Sequence, residues 1–346
     1  MKEKILSFIR QKSLEHSIDS DEDSKYHIEF TTTPACGVRC KYCPQETLRK
    51  SSLKFKNINN KSITLDNFKC YLKNFHDYPT LNIHWTGYSE PCANKDFSAM
   101  AQHCADLKLE QQISTTLTGF PYNIDFIANN PSFFKSIGLH LPDDAGLMED
   151  GVLQVDDSYL TTLARFLDDF ERSSHNGVEL RALTFGPSFH PQIEEILANK
   201  SHLFAGMSRH RKLSSRSSGV DSLYFRKLWK YKSKSQVATL IKQSLKRIYV
   251  FFRPIILLEI PLPAKKCIVK KFGSQPVVLG NGNVNICCHD YSLSQVICNV
   301  NNENFRASLR KWRESVLNDF SSGELSPCKK CEFYQPLTFK DLLPKR

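Results

Sequence analysis

No stretch of this 346-residue chain has the uninterrupted apolar length that a bilayer span needs. The nearest approach, IYVFFRPIILLEIPLP from Ile248, is interrupted by Arg253, Pro254 and Glu259. The opening MKEKILSFIRQKSLEHS has too short an apolar core for a secretory signal, and the acidic DSDED follows it. There is no internal repeat, and no low-complexity tract apart from one basic block. These absences point to a cytoplasmic protein. A hydrophobic fraction of 40% and a charged fraction of 24% are ordinary for a globular chain. The length suffices for a sizeable core and a second, small unit.

Cysteine, by contrast, is abundant: there are 12. In a reducing compartment that number argues for metal ligation and not for a disulfide framework. The net charge of +11 is unevenly spread. Between Arg209 and Arg253 thirteen Lys and Arg face one acid, Asp221, so the rest of the chain is close to neutral. This block is either a solvated basic helix or linker, or a surface for an anionic partner such as a phosphorylated substrate, nucleic acid or lipid headgroups.

From Tyr26 onward strand and helix signals alternate. YHIEFT alternates Tyr26, Ile28 and Phe30; LNIHWT alternates Leu81, Ile83 and Trp85. QISTTL, SIGLHL from Ser136, VELRALTF from Val178 and HLFAGM from His202 bring the strand signals to six. Helices are expected near Thr64 (Leu65, Phe68, Leu72 and Phe75 on one face), over 96–109, from Asp156 (Leu160, Leu163, Leu167 and Phe170 on one stripe) and over 191–198. Such alternation predicts parallel strands with crossover helices, an α/β fold. In a parallel barrel the chemistry sits on loops at the C-terminal strand ends.

One such loop, TTTPACGVRCKYCPQET, follows the first strand and carries Cys36, Cys40 and Cys43 in the spacing C-x3-C-x2-C. Three thiolates can hold three corners of a four-iron cubane and leave one iron open. Zinc is the alternative; it prefers four ligands in structural sites, and His76, His84 or His103 could supply the fourth.

The motif, with aromatic Tyr42 before its last cysteine, resembles the cluster motif of the radical S-adenosylmethionine (radical SAM) superfamily. The resemblance implies a partial (β/α)6 TIM-like barrel over 26–215, preceded by an N-terminal extension, 1–25. It implies a [4Fe–4S] cluster whose open iron binds the amino and carboxylate groups of SAM. It also implies reductive cleavage to a 5′-deoxyadenosyl radical, which takes a substrate hydrogen, and a protein reductant such as flavodoxin or ferredoxin. Gly87 and Glu90 in WTGYSEPCAN stand where family members carry a Gly-Gly-Glu-Pro-like stretch near the SAM amino group. Here the paired glycines are absent, and Ser89 can offer backbone. Ser114, Thr116 and Thr118 in STTLTG are candidates to hydrogen-bond SAM, although threonine at a strand end also reflects plain β-propensity. Arg216 in SSRSSG resembles a Ser-Arg-Ala-Gly-like segment, placing it near the SAM carboxylate or a substrate anion.

The other cysteines cluster late. Cys267, Cys287, Cys328 and Cys331 can complete one closed tetrahedral site from three places in sequence, with zinc and iron–sulfur equally served. VVLGNGNVNICC reads as a hairpin that presents Cys287 from its second strand. This part resembles the shortened auxiliary-cluster domain, twitch, of the SPASM group. The pattern C-x(9–15)-G-x4-C is met by Cys267, Gly282 and Cys287, and the later pair by Cys328 and Cys331. The resemblance implies a small cysteine-rich domain over 263–346, a β-hairpin plus helix, holding one auxiliary [4Fe–4S] cluster. No further C-x5-C-x3-C follows Cys331. Cys288 is the alternative to Cys287. Cys70, Cys92, Cys104 and Cys298 are expected as small buried hydrophobes. The basic segment 216–262 lies outside both resemblances as a linker or insertion.

The expectation is an enzyme that oxidises a small, sugar-like molecule or a peptide, with the auxiliary cluster as electron acceptor. Sugar epimerisation and peptide bond formation use the same cysteines. Oxidation needs a base, for which His289 and Asp290 are candidates by position, and His140 and Asp143 are equally reachable. A different class, a non-catalytic zinc protein binding nucleic acid through 209–253, requires a fourth ligand near the first three cysteines.

Overall fold

A computed structural model describes residues 26–34, 36–41, 43, 62–75, 78, 80–148, 153–184, 186, 188–204, 206–208, 261–267, 275–287, 290, 293, 295–312 and 334–338. They form two units. The larger contains six strands whose order in space follows their order in sequence: β1 (Tyr26–Phe30), β2 (Leu81–Trp85), β3 (Glu110–Thr115), β4 (Ser136–His140), β5 (Glu179–Leu183) and β6 (Gly206–Ser208). All five neighbouring pairs are parallel. Helices α1 (Leu65–Leu72), α2 (Phe97–Asp106), α3 (Pro121–Asn129), α4 (Asp157–Arg172) and α5 (Pro191–Asn199) lie in the crossovers. This is the expected α/β architecture of a partial, TIM-like barrel, in which β6 is one edge of the sheet and does not pair with β1. No helix among the described residues is long and apolar enough to cross a membrane.

The first-strand edge is extended by a hairpin. Strands β8 (Val277–Val278) and β9 (Asn283–Asn285) pair antiparallel, β10 (Val296–Asn299) pairs with β9, and β8 runs parallel to β1. Gly282 at the turn has φ +84°, and a Cβ there would meet the Asn301 Nδ2 at 2.4 Å. The expected hairpin is therefore the far edge of the barrel sheet, belonging to the same unit as β1–β6 and not to a separate C-terminal one. Strands β7 (Pro261–Cys267) and β11 (Tyr334–Thr338) form an antiparallel pair in the second unit.

The two sheet faces differ because side chains alternate across a strand. Ile28, Phe30, Ile83, Trp85, Ile113, Ile137, Leu139, Leu180 and Ala182 are buried. Trp85 forms the centre of this core, with ring centroids 5.1 Å from Phe68, 5.5 Å from Phe97 and 5.9 Å from Phe30. Its indole N–H donates to Gln111 Oε1 at 2.8 Å, so the buried polar end is satisfied. The opposite face carries His84, Ser114, Gly138 and His140 on three adjacent strands. His84 Nε2 and Ser114 Oγ lie 3.2 Å apart. One face thus builds the core and leaves the other polar.

Three details depart from the sequence expectations. Helix α3 was not expected; Pro121 opens it, and Ile124, Ile127 and Ala128 supply a buried stripe at i, i+3 and i+4. In α4 the buried stripe is Tyr159, Leu163, Phe166, Leu167 and Phe170, with Leu160 only partly covered. The HLFAGM strand starts late, because 201–203 first make a turn of 3-10 helix.

Candidate cofactor site at the strand ends

The segment leaving β1 is stitched to the loop leaving β2. Asn94 Nδ2 donates to Thr32 O at 2.7 Å and Ile63 O at 2.9 Å, and Thr33 N donates to Ser89 Oγ at 3.4 Å. Tyr88 N donates to Thr31 Oγ1 at 3.1 Å. This close approach needs Gly87: it has φ +55°, and a Cβ there would stand 2.2 Å from Thr31 Oγ1.

The cysteine loop hangs from that junction. Cys36, Cys40 and Cys43 are all partly exposed. Buried Val38 anchors the loop, Lys41 N donates to Leu147 O at 2.7 Å, and Cys43 N donates to Cys40 O at 2.9 Å. Burial raises the Cys36 thiol pKa to about 12. The Glu90 carboxylate and Cys40 push the same way, while the backbone of Val38 and Glu90 opposes them. The Glu90 charge is thus felt at the Cys36 thiol. Among the described residues, no three or more His, Cys, Asp or Glu are drawn into a metal-holding cluster. The cysteines share a loop without forming a finished cage, and neither His84 nor His103 completes one.

Glu90 is almost fully buried and caps the short 3-10 helix Pro91–Ala93. Its Oε1 accepts from Thr115 Oγ1 at 2.6 Å and Cys92 N at 3.1 Å. Its Oε2 accepts from Thr116 N and Thr116 Oγ1, both at 2.7 Å. All four donors are neutral, and among the described residues no Lys, Arg or His pairs with Glu90. Burial raises its pKa above the usual carboxylate range, and the four hydrogen bonds work against that rise. The same charge, after burial, raises the pKa values of the Cys92 thiol and the Tyr159 phenol. Thr116 Oγ1 also lies 2.9 Å from Thr118 Oγ1, and its carbonyl accepts from Tyr159 OH at 3.1 Å. Gly119 brings the end of this loop onto Cys92: its φ is +116°, and a Cβ would meet the Cys92 carbonyl at 2.5 Å.

Thr115, Cys92 N and Tyr159 were not singled out in the sequence. The only hint was the threonine-rich end of β3. Ser114 lies on the polar face with His84 and away from Glu90's shell. His140 ends β4. Asp143 is buried and builds its own turn: Oδ1 accepts from Ala145 N at 2.9 Å, and both oxygens accept from Leu147 N at 3.1 Å. Asp290 is likewise buried, with Oδ2 accepting from Gln295 N at 2.9 Å. Cys287 is partly exposed, two residues past β9, and its backbone bridges to Gln275.

Cys92, Cys104 and Cys298 are buried as expected. Cys70 is exposed instead, because α1 turns Phe68, Tyr71 and Leu72 to the core and Cys70 away from them. Tyr42, His76, Arg216, Cys288, His289, Cys328, Cys331 and the basic block 209–253 lie outside the described residues, as does the side chain of Cys267.

No family description matches this chain, and no curated protein matches it. Among solved structures, it is similar to Streptococcus suis SuiB bound to precursor peptide SuiA, with 13% identity over 89% of this chain and 70% of that one, TM-score 0.49. It is also similar to BtrN in complex with AdoMet and 2-DOIA, with 11% identity over 94% and 98%, TM-score 0.49. A third is histidine-tagged anSMEcpe with bound AdoMet, with 12% identity over 89% and 84%, TM-score 0.48.

Proposed function

We propose that this chain is a radical SAM enzyme whose cluster is held by Cys36, Cys40 and Cys43 and whose SAM amino group is met at the Glu90 loop. The observation that carries this reading is the buried Glu90 carboxylate, held by four neutral donors, beside the Cys36 sulfur. Burying a carboxylate without a cation is costly. An ammonium group arriving beside it supplies the missing charge.

The donor set fits an iron–sulfur group: three cysteines, all partly exposed, on one eight-residue loop. Bound there, such a cluster supplies the electron that cleaves SAM. The chain's own residues do the positioning. Gly87 lets the loop lie against β1, Thr115 and Thr116 fix both carboxylate oxygens, and Tyr159 fixes the Thr116 carbonyl. Arg216 and Tyr42 belong to this reading on their sequence positions alone.

The substrate we assign to the polar sheet face that carries His84, Ser114 and His140. Cys267, Cys287, Cys328 and Cys331 are proposed to hold one auxiliary cluster, which accepts the electron that an oxidation leaves. Of the similar solved structures, SuiB is bound to a precursor peptide and BtrN to AdoMet and 2-DOIA.

The test is anaerobic reconstitution. The wild-type chain should hold about eight iron and eight sulfide and cleave SAM under reduction. Joint Cys36→Ala, Cys40→Ala and Cys43→Ala substitution should leave about four of each and abolish cleavage. Zinc in place of iron, or undiminished SAM cleavage by the triple variant, would refute the proposal.

A further inference from the structure

Tyr88 stands two residues before Glu90, yet its side chain goes the other way. It is almost fully buried, in a cluster with Val277, Leu279 and Leu293 of the hairpin. There its hydroxyl meets the turn that follows β9. Tyr88 OH lies 2.7 Å from Cys287 O and 3.2 Å from Asp290 O. A phenol has one proton, so the shorter contact, to Cys287 O, is the principal donation. The hydroxyl also accepts from Asn285 Nδ2 at 2.7 Å. That amide has a second proton, and Asp290 O lies 3.0 Å away to receive it. Asp290 N closes the turn on Cys287 O at 3.1 Å. Every bond in this knot ends on the chain that presents Cys287, 199 residues from Tyr88 in sequence.

We infer that Tyr88 is a positioning residue that fixes the Cys287 turn to the Glu90 loop, so that one loop places both cysteine sites. At its backbone Tyr88 is tied to β1 through Thr31 Oγ1. At its hydroxyl it is tied to Cys287 O. The Tyr88 ring is buried among apolar side chains, and without its hydroxyl Cys287 O loses its shortest contact and keeps Asp290 N at 3.1 Å and Asn285 Nδ2 at 3.4 Å. The Cys287 thiol is partly exposed while its own backbone is held, as a ligand on a prepared turn would be. Its use as a metal ligand rests on the auxiliary-cluster reading above. The brace itself does not.

Two measurements separate the brace from that reading. In metal-free protein, alkylation of Cys287 by iodoacetamide is followed site by site by mass spectrometry. Tyr88→Phe keeps the ring in its apolar box and removes only the hydroxyl. It should speed alkylation of Cys287 several-fold to about tenfold, the worth of one buried hydrogen bond, and leave Cys104 at its wild-type rate. Asn285→Ala should act in the same direction. In reconstituted protein, Tyr88→Phe should alter the paramagnetic spectrum of the auxiliary cluster while the cluster on the first three cysteines keeps its response to SAM. Wild-type alkylation rates in both variants would overturn the brace. About four iron in the wild-type protein would instead overturn the auxiliary cluster and leave the alkylation result standing.

Discussion

Replacing Glu90 with Gln isolates the charge from the shape. A carboxylate accepts on both oxygens, but an amide must turn its NH2 toward one pair of donors. One pair is Thr115 Oγ1 with Cys92 N; the other is Thr116 Oγ1 with Thr116 N. A threonine hydroxyl can rotate and accept. A backbone N–H cannot. Either orientation therefore leaves one buried N–H facing an NH2, at a cost of about 1–3 kcal/mol. Because burial raises the pKa of Glu90, the wild-type chain binds its proton more tightly folded than unfolded. The stability this contributes is fully present below the ordinary glutamate range and is lost as pH rises through the folded value. Gln does not titrate. The stability gap between wild type and variant should thus be widest near pH 4 and narrow toward neutrality. Urea unfolding of metal-free protein at several pH values measures it, with hydrogen exchange over 115–118 as the local readout. Removing the charge also removes an influence that raises the Cys36 pKa, so its alkylation should be faster in the variant at pH values where the wild-type carboxylate is ionised. SAM affinity of the reconstituted variant should fall by about tenfold or more, the range of a charge-assisted bond. A gap that widens as pH rises, or an unchanged Cys36 rate, would refute this account of the site.

Two glycines should respond in opposite ways. Gly87→Ala forces a side chain into φ +55° and against Thr31 Oγ1, so it should destabilise by at least about 1–2 kcal/mol and lower the melting temperature. Gly138→Ala puts a methyl at ordinary contact, 3.6 Å from Ser114 Oγ and 3.7 Å from Leu183 Cδ1, in an extended strand. It should stabilise by up to about 1 kcal/mol in thermal unfolding while slowing substrate-dependent turnover and sparing substrate-free SAM cleavage.

What the sequence made legible is what is local. Tyr26, Ile28 and Phe30 announce a strand by their period, and three cysteines within eight residues announce a ligand loop. Helix α3 carried the same kind of signal in Ile124, Ile127 and Ala128, but its brevity and its flanking aromatics hid the period. The shell of Glu90 was not legible, because Thr115 and Thr116 arrive from the next strand, 25 and 26 positions on. Their β-branched side chains had a sufficient explanation as strand formers. The Tyr88–Cys287 bond was less legible still: nothing near Tyr88 in sequence signals that the hairpin returns to the edge of β1.

Among the described residues, three buried carboxylates lie beyond strand ends, and sequence position alone treats them alike. Their partners do not. Among the described residues, the Asp143 carboxylate accepts from backbone N–H groups two and four residues ahead, and the Asp290 carboxylate from an amide five residues ahead. Each of these bonds shapes its own loop. Glu90 also caps a local amide, but its other bonds cross to β3 and include two hydroxyls. Joining two strand ends does not require a charge. Neutral groups can make such bonds without the desolvation cost of a buried ion. A buried anion surrounded by neutral donors, beside the Cys36 sulfur, is therefore over-equipped for a structural brace. Among the described residues no cationic side chain pairs with it, and under the function proposed above the SAM ammonium group is the partner.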